Sequence, residues 1–203
     1  MVKFEKNEEL NKSFDTLIKQ YSADDILREK IISKSREIIK LSKQSIFAFH
    51  RGDLSLAENN LEKTNKLILE TFSLVEESSL REVGSFRASL EEFIEAISFG
   101  FFLKNNKIPT ISDLELSFSI PYETYLSGLC DLSGELVRHA VDAATNNNTD
   151  LVDFIRLSVD ELYGLFLKFS FRGGDLRKKF DSLRHNLSKL NDIMYDVHLR
   201  GKL

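Results

Sequence analysis

Leu176, Phe180, Leu183, Leu187, Leu190, Met194 and Val197 follow one another at alternating steps of four and three residues. That alternation lines up along one side of an α-helix and along neither face of a strand. The segment is therefore a helix whose apolar seam needs a partner helix, in the same chain or in another copy. A contact between copies is the favoured expectation.

Helical periodicity recurs through the whole chain. Lys3 to Gln20 reads as a short amphipathic helix, and Ser22-Ala-Asp-Asp25 as the cap of a second that runs to about Phe49 and closes at His50-Arg-Gly52. Asp53 to Glu77 forms a third. Ser78-Ser79 caps a fourth from Leu80 to about Lys104. Asn105 to Pro121 holds both prolines and a Ser112-x-x-Glu115 box, which suits a loop with one short helix. Tyr122 to about Thr145, a segment capped by Thr149 or Asp150 and running to Ser170, and the seam helix opening at Gly173-Gly-Asp175 complete the set. Nothing alternates with the period of a strand. The expectation is an all-α fold of seven helices in one domain spanning residues 1–203, within the size that a single core supports. Sixteen phenylalanines favour helices packed through large flat side chains.

Several function classes fall away. No apolar run approaches the roughly 20 residues needed to cross a bilayer, and MVKFEKNEEL lacks a signal-peptide apolar core. Cys130 is alone, so no internal disulfide can form. A soluble, cytoplasmic protein with no membrane partner is expected. The net charge of −4 weighs against nucleic acid unless a local basic surface overrides it.

Two helices carry chemistry. On Tyr122 to Asp142, Leu126, Leu129, Leu132, Leu136, Ala140 and Val141 gather on one side, and Thr124, Ser127, Gly128, Asp131, Glu135, Arg138 and Asp142 on the other. A polar side of small residues with two carboxylates one turn apart leaves room for something to approach the backbone. On Arg87 to Lys104, Leu90, Phe93, Ile94, Ile97 and Phe101 form a stripe while Glu92 and Glu95 point away from it. If the helices lie side by side, four carboxylates converge, and like charges that close force protonation or bind a cation. Oxygen-only ligands suit Mg²⁺, Mn²⁺ or Ca²⁺. Glu91, also one turn from Glu95, is the supporting candidate. His50, His139, His185 and His198 do not group and read as structural, and Cys130, flanked by leucines, reads as a packing residue.

Four motifs, SREIIKLSKQSIFAFHRG (35–52), LEEFIEAISFGFFLK (90–104), YLSGLCDLSGELVRHAVDA (125–143) and DLRKKFDSLRHNLSKLNDIMYDVHLRG (175–201), together resemble the translin family, which comprises translin and translin-associated factor X (TRAX). The resemblance implies a seven-helix protomer assembling into a hollow barrel of about eight copies that binds single-stranded RNA, or single-stranded DNA. TRAX-type members resemble Mg²⁺-dependent endoribonucleases with E-x-x-E and D-x-x-x-E carboxylates; Glu92 with Glu95 and Asp131 with Glu135 match these pairs and are the implied catalytic and metal-binding residues, with Mn²⁺ as a substitute for Mg²⁺. Arg28, Arg81 and Arg87 fall where the family places RNA-contacting basic residues, with Lys30, Lys34 and Arg51 as weaker candidates. The chain is shorter than eukaryotic TRAX, which implies a homo-oligomer, an octamer by resemblance, rather than dependence on a separate translin partner. The alternative is a catalytically inactive translin-like binder of single-stranded RNA or DNA.

Overall fold

The computed structural model describes residues 7–78, 80 and 83–200. Among them are six α-helices and one short 3-10 turn, with no strand: α1 Glu8–His50, α2 Leu54–Glu77, α3 Gly84–Asn105, the turn Ser112–Leu114, α4 Tyr122–Thr145, α5 Thr149–Phe166 and α6 Asp175–Arg200. The all-α expectation holds, and six helices replace seven because the first two are one helix of 43 residues. Asn7 caps it, accepting from the Leu10 N–H at 3.0 Å, and Ser22-Ala-Asp-Asp25 lies in its interior. Extending a helix adds one hydrogen bond per residue fixed, whereas starting a second repeats the cost of nucleation. With no glycine or proline between Asn7 and His50, the capping signal is overridden.

Gly52, at φ 74°, turns the chain out of α1, and Asp53 caps α2 by accepting from the Leu56 N–H. The α1–α2 contact is lined with small polar residues. Ser35, Thr64 and Thr71 each donate to the carbonyl four residues earlier, and Ser45 also donates across to the Ala57 carbonyl at 3.1 Å. Hydroxyls satisfied on their own backbone let two long helices approach with few buried orphan donors, Ser42 of α1 being one. Around the 3-10 turn, Glu115 has a left-handed backbone (φ 46°) in place of the expected capping-box role. At α5 the cap is Asn148, one residue ahead of the expected Thr149, and the helix ends at Phe166 rather than Ser170.

α3 runs through the middle, against α1 and α2 on one side and α4 on the other. Phe86, Leu90, Phe93, Ile94, Phe99 and Phe102 are therefore all buried, a nearly all-round apolar surface in place of a single stripe. One core cluster joins α1, α2 and the first half of α3; a second joins the end of α1, the rest of α3, and α4 to α6. Phenylalanines serve both, Phe72, Phe86, Phe93 and Phe118 the first and a larger set the second. Phe166 and Phe180 lie parallel at 6.0 Å, with Tyr163 stacked on Phe180 at 5.4 Å. The α6 seam closes inside the chain. Phe180, Leu183, Leu187 and Leu190 are buried against α4 and α5, so the expected contact between copies is corrected to an intramolecular one.

α3 and α4 come into tight contact at Gly128. A Cβ there would stand 2.5 Å from Ile94 Cγ2 and 3.1 Å from the Glu91 carbonyl oxygen. Thr124, Ser127 and Gly128 are all buried; the small-residue side that the sequence left open to an unspecified visitor is filled by α3. Gly128→Ala forces fully buried Ile94 aside and is expected to destabilise the fold by about 1–3 kcal/mol, lowering the thermal midpoint by about 2–4 °C per kcal/mol in a chain of this size. Scanning calorimetry checks this, and an unchanged midpoint would show that the two helices do not meet so closely.

Candidate active site between α3 and α4

That approach brings the four predicted carboxylates together. Glu92 and Glu95 of α3 and Asp131 and Glu135 of α4 line one pocket of about 550 Å³, whose walls include Lys43 and Phe47 of α1, Arg138 of α4, and Lys179 and Asn186 of α6. Helical spacing put each pair on one surface; helix packing faces the two surfaces toward the same space.

Each carboxylate has its own electrostatic setting. Asp131 accepts a short hydrogen bond from the Lys179 ammonium. Glu135 faces His50 Nε2 at 2.6 Å, with Arg138 at 4.0 Å. Glu92 is paired with Lys43 at 3.3 Å. Glu95 makes no hydrogen bond or ion pair among the described residues. Burial first, and then the charges of Asp131, Glu92 and Glu135, push its carboxyl up to about 8 against only partial relief from Lys179. At neutral pH Glu95 therefore holds a proton, the response expected of a carboxyl crowded by its own kind. Burial also raises Asp131, partly offset by the Lys179 hydrogen bond. Burial alone would lower Lys179; its hydrogen bond to Asp131 and the charges of Asp131, Glu91 and Glu95 outweigh that and hold the ammonium charged.

Among the described residues, no three His, Cys, Asp or Glu side chains stand grouped as a ready-made ion cage. Three of the four pocket carboxylates are instead turned to cationic or imidazole partners. The donor set remains all-oxygen and flexible, which suits Mg²⁺ or Mn²⁺. Cys130 also lines the pocket, but burial pushes its thiol well above the ordinary range, so it supplies no thiolate ligand or nucleophile.

Glu91 turns to the far side, 3.5 Å from Arg87 and 3.8 Å from Lys179. There Arg87, Glu91, Asp131, Lys178 and Lys179 line a neighbouring hollow of about 600 Å³. Asp131 and Lys179 border both spaces and form the partition between them. Arg87 thus sits beside the carboxylate pocket, hydrogen-bonded to Glu123 at 3.0 Å. Arg28 pairs with Asp25 and lies 15 positions before Lys43 on α1, about 22 Å away along the axis, so the fold does not bring it to this pocket. Arg81 lies outside the described residues. Lys34 is paired with Glu70 at 2.6 Å, and Arg51 sits over the Phe47 ring.

Three neighbours of the carboxylates escaped the sequence pattern. Lys43 and Lys179 are ordinary lysines on polar helix faces, and only packing carries them to the pocket. His50, read from the sequence as structural, is buried beside them: its side chain is 3% exposed and its ring bonds Glu135 from behind. His139 lies near it across Phe99 and is depressed by burial and by His50, while His185 and His198 are exposed on α6 and line no part of the pocket. Among the described residues no helix is long and apolar enough to cross a membrane.

The sequence from residue 26 to residue 201 matches the Translin family. A translin-associated protein X homolog of Schizosaccharomyces pombe is 29% identical over 191 residues, covering 85% of this chain and 81% of that protein. An uncharacterised protein of Methanocaldococcus jannaschii is 30% identical over 176 residues, covering 85% and 77%. Translin of Gallus gallus matches over a shorter span, 32% identical over 90 residues, or 44% of this chain and 39% of that one. Among solved structures, apo-NeC3PO superposes with a TM-score of 0.81 at 22% identity, over 96% of this chain and 100% of that chain. AfC3PO in its complex with duplex RNA gives 0.81 at 21% identity, over 93% and 97%. With the family matched over nearly the whole helical order, and with translin-associated protein X similar over most of its length, the chain belongs to the translin family.

Proposed function

We propose that this protein is a metal-dependent endoribonuclease that binds and cleaves single-stranded RNA within a homo-oligomeric assembly. The observation that carries the reading is the convergence of Glu92, Glu95, Asp131 and Glu135 on one pocket. These four residues would hold Mg²⁺, or Mn²⁺ in its place. Such an ion, once bound, supplies an activated water and stabilises charge on the leaving oxygen of a phosphodiester. With such an ion held there, Glu95 would be a ligand in its ionised form, and Lys179 and Lys43, now paired with Asp131 and Glu92, would be at hand for phosphate oxygens. Arg138 at the rim and Arg87 and Lys178 in the adjoining hollow are further cations for an RNA backbone, set among Glu91 and Asp175, so RNA binding would draw on these cations locally against a chain of net charge −4. A neighbour of the same fold has been solved with duplex RNA, so single-stranded and duplex substrates are to be compared.

Self-association has its own support. Leu10, Phe14, Leu17, Ile18 and Tyr21 are each more than half exposed and recur at helical spacing on the first half of α1. An isolated arm with such a stripe is marginal in water, and burying it against other copies, eight by family resemblance, resolves that. Substituting Phe14 and Leu17 together by glutamate is expected to lower the assembly mass measured by light scattering. An unchanged mass would exclude the arm from assembly.

The second reading is a barrel that binds RNA without cutting it. The pairing of Asp131 with Lys179 and of Glu92 with Lys43 favours it, because lysine ammonium groups already do the work of a metal ion. Labelled RNA separates the two. Mg²⁺-dependent cleavage abolished by EDTA, and lowered at least about 100-fold in Glu95→Gln or Asp131→Asn with RNA binding and assembly retained, supports the nuclease; full cleavage by either variant contradicts it.

The raised Glu95 carboxyl gives a pH dependence of stability. Below the ordinary carboxyl value of 4.5 the group is protonated both folded and unfolded. Between there and about 8 only the folded state keeps the proton, so the stability it confers is lost as pH rises through that window. Glu95→Gln is thus expected to gain thermal midpoint relative to the metal-free parent from about pH 4.5 to about 8 and to hold a constant advantage above. A difference independent of pH, in paired melts with EDTA, would show that Glu95 is not crowded.

A further inference from the structure

His50 closes α1 and lies behind the pocket rather than in its lining. Its ring rests on Phe99 at 4.6 Å between centroids, and its Nε2 stands 2.6 Å from Glu135 Oε2. An ionised carboxylate can only accept, so Nε2 carries the hydrogen and donates it. The other nitrogen, Nδ1, is an acceptor in the neutral ring and a donor in the imidazolium, and needs a partner in either form. It is buried without a hydrogen-bond partner, and Asp142, 3.9 Å away, is too far to bond it. Leaving a buried polar nitrogen unsatisfied opposes folding. A phenyl ring would stack on Phe99 without that cost, so packing alone does not explain an imidazole here.

We propose that His50 is a positioning residue for Glu135, its Nε2–H fixing the carboxylate so that the free oxygen faces Glu95 and Asp131 across the pocket. The role rests on the metal-binding reading above. Outer partners that orient a ligating carboxylate typically contribute 10–100-fold in metal affinity, and here the orienting donor reaches Glu135 from the end of α1, 85 residues away in sequence.

Three substitutions separate positioning from packing. His50→Gln can place an amide N–H where Nε2 stood; His50→Asn carries it only to the level of Nδ1, short of Glu135; His50→Phe keeps the ring and removes the donor. Mn²⁺ titrated calorimetrically into the full-length assembled protein without RNA reads the effect directly, with Glu135→Gln as reference. The expected result is a 10–100-fold rise in the Mn²⁺ dissociation constant for the Phe and Asn variants and near-parental affinity for Gln. Asn carries the comparison if Phe does not fold. Parental affinity in Phe or Asn, or equal loss in all three, overturns the positioning role while leaving the metal site intact. A parental protein that takes up no Mn²⁺ overturns the metal reading and this proposal with it.

Discussion

Close contact between α3 and α4 at Gly128 is the constraint on which the site depends. Without a side chain at that position, Ile94 reaches the α4 backbone, and the surfaces carrying Glu92 with Glu95 and Asp131 with Glu135 face one space. Any larger residue would wedge the helices apart at the level where the carboxylates must meet. Ile94 of α3 and Leu132 and Leu136 of α4 are fully buried. The pocket is thus a by-product of tight apolar packing one turn away from it.

Collecting four carboxylates opposes folding, and the protein offsets this in several ways. Lys179 answers Asp131, Lys43 answers Glu92, His50 bonds Glu135, and Glu95, without a partner among the described residues, keeps its proton. These compensations come from α1 and α6, so the site draws on four helices although only two supply its acids. Lys179 is the most connected of them, because it borders both the carboxylate pocket and the hollow with Arg87 and Lys178. A group there can pass from neutralising Asp131 to holding a phosphate without crossing the molecule.

Much of this was legible before any coordinates. Carboxylates three and four residues apart on amphipathic segments announce adjacent side chains, because helix geometry is local. The small-residue side of α4 was also visible, but its occupant was not: a glycine shows that something comes close, and only the fold shows that it is Ile94 and the α3 backbone. His50, Lys43 and Lys179 stayed hidden for the same reason. Lys179 reaches Asp131 across 48 residues and His50 reaches Glu135 across 85, and no periodicity records such distances. Elsewhere the local signals were present and outweighed. The capping pattern at Ser22 to Asp25 lost to continuous helix propagation, and the α6 seam, regular enough for a contact between copies, found its partners in α4 and α5.

The account stands on one divalent ion taking the place of the proton and the lysines among the four acids. Diffraction from Mn²⁺-soaked crystals at the manganese absorption edge tests it most directly. Anomalous density is predicted within about 2–2.6 Å of oxygens from at least three of Glu92, Glu95, Asp131 and Glu135, with Lys179 displaced from Asp131. Full Mn²⁺ occupancy elsewhere on the protein, with Lys179 still bonded to Asp131 and no density between α3 and α4, would contradict it.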